Sequence, residues 1–328
     1  MGTDPSGEAR YNAGSLDLAR VGPWWTGAGR GFWLGSDTLG RSELIRCLAG
    51  GGVSLVVGLA AAAISMLIGT IYGGIAGFAG GRIDGLMMRV VDVLYGLPYV
   101  LLVVLLAVAT DSVVGELVSR QRERAKWVES QAIAAIQADG RSATPPQARA
   151  ELARNRAWSA QLDAAALKAL PPRNISASTR RVIDLSTLLV AISGVSWLTM
   201  ARVIRGQVMT LKSREFVLAA RAIGLPPARV FLRHVLPNLW GTIFVYAALT
   251  VPQAMLQEAF LSFLGIGVKP PMPSWGSLAA EGLAEINPVD SSWWLIVFPC
   301  LLLGVTLLCL NLVGEALRRS LDPKGRAS

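Results

Sequence analysis

The residues best suited to make specific contacts lie in one stretch, REFVLAARAIGLPPARVFLRHVLPN, which runs from Arg214 to Asn238. It carries four arginines and one acidic residue, and a Gly-Leu-Pro-Pro sequence interrupts it. Long apolar runs precede and follow it. A simple connection between two helices needs only a few turn residues. A basic and kinked stretch in this place therefore indicates noncovalent contact with another molecule.

The spacing within this stretch predicts two short helices joined by a tight turn. Residues 212–223 suit a helix, and Gly224 supplies its C-terminal stop. Pro226 and Pro227 can open a second helix, where a missing N–H costs nothing. We expect that second helix to end at Leu236-Pro237. The result is a two-helix elbow with basic flanks.

One face of the first predicted helix carries small and apolar side chains. Its members are Phe216, Ala219, Ala220 and Ile223. Ala219 and Ala220 leave room for the side chains of a partner. The alternative is a basic amphipathic helix that lies on anionic lipid. Two helix breakers within so short a segment favour the elbow.

The surrounding chain must hold this elbow at the ends of membrane-spanning helices. The chain has 328 residues, of which 52% are hydrophobic and only 16% charged, whereas a soluble domain carries about a quarter charged residues. Five charge-free runs occupy residues 47–81, 93–110, 185–201, 235–257 and 291–314. About 17–25 apolar residues span a bilayer, and spans must be helical because lipid offers the backbone no partners. The sequence predicts an all-α integral membrane protein with five spans.

The distribution of lysine and arginine orients these spans. Without the long segment 111–184, one set of alternate loops holds 13 basic residues and the other holds 6, which places the elbow in the cytoplasm. Including that segment reverses the balance to 13 against 18. The rule applies to short loops of under about 60 residues, which favours the first count, but several basic residues of the long segment lie close to span ends, so the count alone does not decide the orientation.

Residues 111–182 differ in composition from the spans, since they are alanine-rich and charged. Breaks occur at Thr-Pro-Pro 144–146 and Leu-Pro-Pro 170–172. Two helices of about 20 residues fit on either side of the first break. We expect a helical hairpin outside the membrane, on the periplasmic side. A partly disordered linker is the alternative.

Several kinds of chemistry find no support in the sequence. The three cysteines lack CxxC spacing and His234 stands alone, so no metal site is expected. The net charge of +9 comes without a nucleic-acid-binding motif. The five runs contain no charged residue, and Glu258 and Asp184 at span ends are expected to be solvated or interfacial carboxylates, which argues against a membrane enzyme. With no GxxxxGK[ST] motif either, we expect no catalytic residue and no cofactor, and energy must come from a partner.

The sequence LAARAIG followed by HVLP resembles the EAA loop of binding-protein-dependent ABC import permeases. Matches fall at Ala219, Ala220, Gly224, Leu236 and Pro237, while Leu218 occupies the usual Glu position. The resemblance implies that this loop docks into a groove on a cytoplasmic ATPase. The coupling residues it assigns are Glu215, Leu218, Ala219, Ala220, Arg221, Gly224, Leu236 and Pro237.

Four further segments are similar to dipeptide, oligopeptide and nickel permeases, and most of all to the C-type subunit of a peptide importer. They are LGSDTLGRSELIRCLAGGGVSL, GGRIDGLMMRVVDVLYGLPYVLL, EAFLSFLGIGVKPPMPSWG and LVGEALRRSLDPK. The resemblance implies a type I ABC importer transmembrane domain in the inner membrane. Its partners would be a second permease subunit, two cytoplasmic ATPase subunits and a periplasmic substrate-binding protein.

This likeness divides the chain into four parts. An N-terminal tail covers residues 1–46, two spans cover 47–110, the insert covers 111–182, and three spans with the coupling loop 212–238 cover 183–328. The family normally has six spans, the first of them upstream of residue 34. We therefore expect that an upstream span has been lost, is supplied by another chain, or precedes this start. Nickel or another small solute remains an alternative cargo, and an uncoupled channel or scaffold is an alternative function.

Overall fold

The computed structural model describes residues 11–26, 31–139, 144–171, 177–286 and 292–321, and these are mostly helical. In chain order the helices are α1 (Glu43–Ala79), α2 (Gly81–Gly96), α3 (Tyr99–Ser119), α4 (Gln121–Ala138), α5 (Pro145–Arg154), α6 (Arg156–Ala169), α7 (Ala177–Lys212), α8 (Glu215–Ala222), α9 (Pro227–Val230), α10 (Leu236–Phe263), α11 (Trp275–Ala284) and α12 (Trp294–Leu321). Extended pairing within the described residues is limited to two isolated bridges. The predicted all-α class is confirmed.

Four helical segments in the described part of the chain are long and apolar enough to cross a bilayer. They are Glu43–Ala79, Arg181–Lys212, Pro227–Phe263 and Trp294–Ser320. A fifth crossing is available if α2 and α3, which meet at a 96° bend, together form one span. The span count agrees with the predicted polytopic architecture, although the second predicted span is bent rather than straight.

The chain divides into two compact units, Met1–Val108 with Leu185–Ser328, and Ala109–Asp184. In the first unit, the glycine face of α1 lies directly against α7. A Cβ added at Gly73 would collide with the carbonyl oxygen of Ala201, and one at Gly69 would lie 2.5 Å from the Cβ of Met200. Small residues allow such close approach between membrane helices. The glycines of α1 therefore serve packing within the chain itself.

The second unit contains three described helices of its own, α4, α5 and α6, where two longer helices are predicted. Asn155 divides the second predicted helix into α5 and α6. Its side-chain oxygen accepts a hydrogen bond from the Trp158 N–H at 3.1 Å, and asparagine stabilises a helix start better than a helix interior. A small core of Ala132, Ile136 and Ala148 joins α4 to α5.

Candidate functional site

The stretch that begins at Arg214 forms the predicted elbow from α8 and α9. Lys212 ends α7, and Ser213 and Arg214 form the turn that precedes α8. The predicted start of the first helix at residue 212 is therefore wrong, because the long span helix continues through that residue. The Lys212 side chain remains part of the site, because it donates a hydrogen bond to the Phe78 carbonyl.

The turn between α8 and α9 requires glycine at position 224. Gly224 has φ +80°, a left-handed conformation that costs little only for glycine. Its N–H bonds to the Arg221 carbonyl at 2.9 Å, and the Leu225 N–H bonds to the Ala220 carbonyl at 3.3 Å. This pair of bonds is the Schellman pattern that closes a helix end. Pro226 caps the next helix and Pro227 opens it, as predicted.

The inner face of the elbow belongs to the core of its own unit. Val217 and Val230 are fully buried, and Ala220 is only 4% exposed. They pack in one cluster with Ile204 and Val208 of α7 and with Leu239 and Ile243 of α10. Ala220 therefore does not leave room for a partner's side chains, because α8 turns it towards the spans.

The outer face of the elbow exposes large apolar side chains beside polar ones. The exposed fractions are 41% for Phe216, 52% for Leu218, 78% for Ile223 and 61% for Leu232. Glu215, Ala219 and Arg221 are also exposed. Apolar groups displayed together on a surface favour contact with another protein. Of the two alanines in the predicted pair, Ala219 alone lies on this face.

The elbow is attached to the ends of α1 and α7 through Phe78. The Phe231 ring packs edge-on against Phe78 with centroids 5.6 Å apart, and Arg221 lies 5.0 Å above the Phe78 ring. Lys212 donates a hydrogen bond to the Phe78 carbonyl at 2.7 Å. Sequence reasoning missed Phe78, since nothing in its neighbourhood marks an aromatic residue of a span as a contact for a segment 150 positions away.

The chain does not break at Leu236-Pro237, so the predicted end of the second helix is wrong. A π-turn at Phe231–Val235 carries α9 directly into α10, and the Leu236 N–H bonds to the Phe231 carbonyl. The wider turn accommodates Pro237, which lacks an N–H and would clash in a regular helix. Leu236 and Pro237 therefore form the first turn of a span, continuous with the elbow.

Comparison with known proteins shows the family to which the chain belongs. The family described as "Binding-protein-dependent transport system inner membrane component" matches residues 69–327. The chain belongs to this family of membrane permeases.

Curated relatives cover most of the permease. The dipeptide transport system permease protein DppC of Bacillus subtilis is 35% identical over 294 residues, which cover 90% of this chain and 69% of that protein. The oligopeptide transport system permease proteins OppC of Haemophilus influenzae and Escherichia coli are 34% and 33% identical, over 90% of this chain and 71% and 74% of their own lengths.

The permease also fixes α2 against α7 close to the elbow. Arg205 donates two hydrogen bonds to the carboxylate of Asp84, at 2.5 Å and 2.6 Å, and Asp84 is buried. Further along both helices, Arg202 bonds to the more exposed Asp92 at 2.7 Å and lies 4.0 Å above the Tyr95 ring. We call these two ion pairs the α2–α7 clamp. The sequence does not reveal the pairing, because the partners lie more than 100 residues apart.

The permease contains one carboxyl group whose predicted environment is wrong. Glu258 is 0% exposed and lies within α10, which continues to Phe263. It accepts a hydrogen bond from the Ser262 hydroxyl at 2.6 Å, and that hydroxyl accepts one from the Val268 N–H at 3.0 Å. Glu258 therefore organises the turn after α10 and is not a solvated carboxylate.

Side chains that could hold a metal do not cluster in the described ranges of the permease: none forms a group of three or more His, Cys, Asp and Glu. Cys47 is buried, and Cys300 and Cys309 are exposed on α12 as free thiols. His234 is half-buried in the π-turn.

The two ion pairs of the α2–α7 clamp should contribute differently to stability, so that one serves as the control for the other. Asp84→Ala should lower the free energy of unfolding by about 2 kcal/mol, because it removes two charge-assisted hydrogen bonds and leaves Arg205 without its partner. Asp92→Ala should cost less than about 1 kcal/mol, because that pair is more exposed. Thermal unfolding of the purified permease in one detergent measures both. Equal losses of stability in the two variants would contradict the expectation that the buried pair contributes more than the exposed pair.

Proposed function

We propose that this permease is one half of the translocation pore of an ATP-driven importer of dipeptides or oligopeptides. The observation that carries the proposal is the elbow, whose exposed apolar outer face is joined to buried contacts with three spans. A second permease subunit would complete the pore. Two cytoplasmic ATPase subunits would bind the elbows, and a periplasmic binding protein would deliver the peptide. The names of the relatives support peptide as the cargo.

The geometry supports different roles for the two faces of the elbow. Phe216, Leu218 and Ile223 would enter a groove on the ATPase, with Glu215, Ala219 and Arg221 beside them. Ala220 and Val217 hold α8 against α7 and α10, so that motion of the elbow moves the spans with it. Gly224 sets the angle between α8 and α9. Leu236 and Pro237 pass the motion into α10 without a flexible joint.

The permease contributes no covalent chemistry to this mechanism. Its task is to adopt two arrangements of helices that open the pore to opposite sides of the membrane. ATP-driven closure of the ATPases would favour the outward-open arrangement, and the loaded binding protein would bias the same equilibrium from outside. Each ligand can shift that equilibrium only by its difference in affinity for the two arrangements.

Leu218 changes the character of the docking contact. Where the family pattern has Glu, this chain presents a leucine that is 52% exposed. Burying such a side chain in a groove contributes about 1.5–3 kcal/mol at most. At this position the contact would therefore depend on apolar burial rather than on charge. An uncoupled channel would instead show no ATP-dependent uptake.

A bulky side chain on the outer face should block docking. Ala219→Arg places a long cation on the exposed face of α8, so we expect the ATPase to be lost from the purified complex and ATP-dependent uptake to fall at least about tenfold, which corresponds to about 1.4 kcal/mol. Ala165→Arg, on an exposed position of α6, is the matched control and should behave as wild type. Copurification of the ATPase with Ala219→Arg would rule out this face as the docking surface.

Gly224 should be needed for coupling although a side chain at this position would meet no other atom. Nothing lies within 4 Å of a Cβ added at Gly224, so Gly224→Val acts only through its positive φ, at a cost of about 1–3 kcal/mol. We expect normal membrane insertion with uptake reduced about tenfold. Gly241→Val in α10, where a Cβ also meets nothing within 4 Å and φ is not positive, is the control. Wild-type uptake by the Gly224 variant would show that the elbow angle is not used.

The proposed sidedness places unit Ala109–Asp184 in the periplasm and the elbow in the cytoplasm. Ser130→Cys, exposed on α4, should react with a membrane-impermeant maleimide in intact cells. Ser213→Cys, exposed beside the elbow, should react only after lysis. Both belong in a background that carries Cys300→Ala and Cys309→Ala. The reverse pattern of labelling would invert the topology.

A further inference from the structure

The segment before α1 folds onto itself. We call residues 11–26 and 31–42 the cap. The Ser36 hydroxyl donates to the Leu18 carbonyl at 2.6 Å and accepts from the Val21 N–H at 2.8 Å. Isolated bridges join Gly14 to Arg41 and Ser36 to Ser42. The cap is therefore a folded element with a defined surface.

A charge cluster centred on the buried side chains of Asp37 and Arg46 holds the cap against the spans. The Asp37 carboxylate accepts hydrogen bonds from Arg41 at 2.6 Å and from Arg46 at 2.7 Å. Arg46, at the start of α1, also donates to Glu281 of α11 at 2.8 Å and 3.1 Å. In addition, the Trp294 indole donates to the Ser36 carbonyl at 3.2 Å. These contacts fix the cap to α1, α11 and α12.

One edge of the cap is aromatic and exposed. The exposed fractions of Trp24, Trp25 and Trp33 are 54%, 50% and 65%. The Trp24 and Trp33 rings lie 5.8 Å apart, and Trp25 packs edge-on against Phe298 of α12 at 6.0 Å. Trp293 also contacts Phe298, with ring centroids 5.9 Å apart. The cap and the first turns of α12 thus share one aromatic surface, which we call the tryptophan edge.

The tryptophan edge continues into the most exposed span. Only 6% of the apolar window of α12 is buried. Its exposed residues recur at helical spacing along one side, at Leu301, Val305, Leu308 and Leu312. A charge-free helical face of this kind fits lipid chains. The tryptophan edge therefore lies where such a lipid-facing surface ends.

We propose that the tryptophan edge is a lipid-binding surface, with Trp24, Trp25 and Trp33 in the headgroup region of the bilayer. Indole rings favour that region because one side of the ring is apolar while the N–H can meet water and headgroups. Continuity with α12 favours lipid over a protein partner. The charge cluster would hold the three rings at one depth, so that the cap anchors the outer ends of α1, α11 and α12.

The choice of leaflet rests on the proposed function, but the lipid contact does not. The cap lies at the Glu43 end of α1, whereas the elbow lies at its Phe78 end. If the elbow is cytoplasmic, the cap occupies the extracytoplasmic leaflet. If the elbow does not bind an ATPase, the argument for the leaflet no longer holds. The proposed lipid contact does not depend on that result.

Spin labels can test where the tryptophan edge lies. Trp33→Cys would be labelled with a nitroxide in the Cys300→Ala, Cys309→Ala background, in which the remaining Cys47 is buried. Matched controls are Leu308→Cys on α12 for lipid and Asp17→Cys, an exposed position of the cap, for water. The rates at which each nitroxide label collides with oxygen and with a water-soluble nickel chelate are measured in nanodiscs. Both the permease alone and the transporter complex are measured.

We expect the Trp33 label to approach the oxygen accessibility of the Leu308 label and to meet nickel at least about fivefold less often than the Asp17 label. High nickel accessibility would place the edge in water and overturn the proposal. If the Trp33 label is poorly accessible to both reagents in the complex but not in the permease alone, the surface binds a protein partner. That result would also overturn the proposal. Trp24→Cys repeats the measurement if the Trp33 variant does not fold.

Discussion

A bilayer offers the backbone no hydrogen-bond partners, and the structure depends on this constraint. Every span must satisfy its own N–H and C=O groups, so the membrane unit is built from long helices. Contacts that need charge or backbone turns are moved to the helix ends. The 37 residues of α1 illustrate the result: Arg46 at one end holds the charge cluster, and Phe78 near the other end supports the elbow. Between them the glycine face admits α7.

The elbow combines an exposed apolar face with an attachment to the spans. An exposed loop could bind an ATPase but would absorb its motion, whereas a fully buried one could not be reached. Here α8 presents Leu218 and Ile223 outward and Val217 inward, because residues on opposite sides of one helix face different environments. The π-turn then joins α9 to α10 as one continuous helix. Rigid helices transmit displacement better than flexible connections do.

The buried polar groups select one arrangement of the helices. A carboxylate placed within apolar surroundings is costly unless its hydrogen bonds are made. Asp84 finds them with Arg205 in register, and Glu258 finds them with Ser262 one helical turn later and with Ser54 and Ser274 across the fold. An alternative packing of α2 or of the turn after α10 would lose these bonds. Such contacts specify position more than they add stability.

The sequence by itself determined the membrane class, the helical spans, the elbow and its turn. These follow from local rules, since an apolar run of bilayer length must be helical and Gly224 can adopt a positive φ that other residues resist. The motifs quoted above added a resemblance to the permease family, which the comparison over residues 69–327 confirms. Only the tertiary structure decided that Ala220 faces inward and Ala219 outward, that Phe78 supports the elbow, and that the chain passes Pro237 without a break. Each of these depends on what lies across the fold. The cost of a proline depends on the carbonyl one turn earlier, and the environment of an alanine depends on helices far away in sequence.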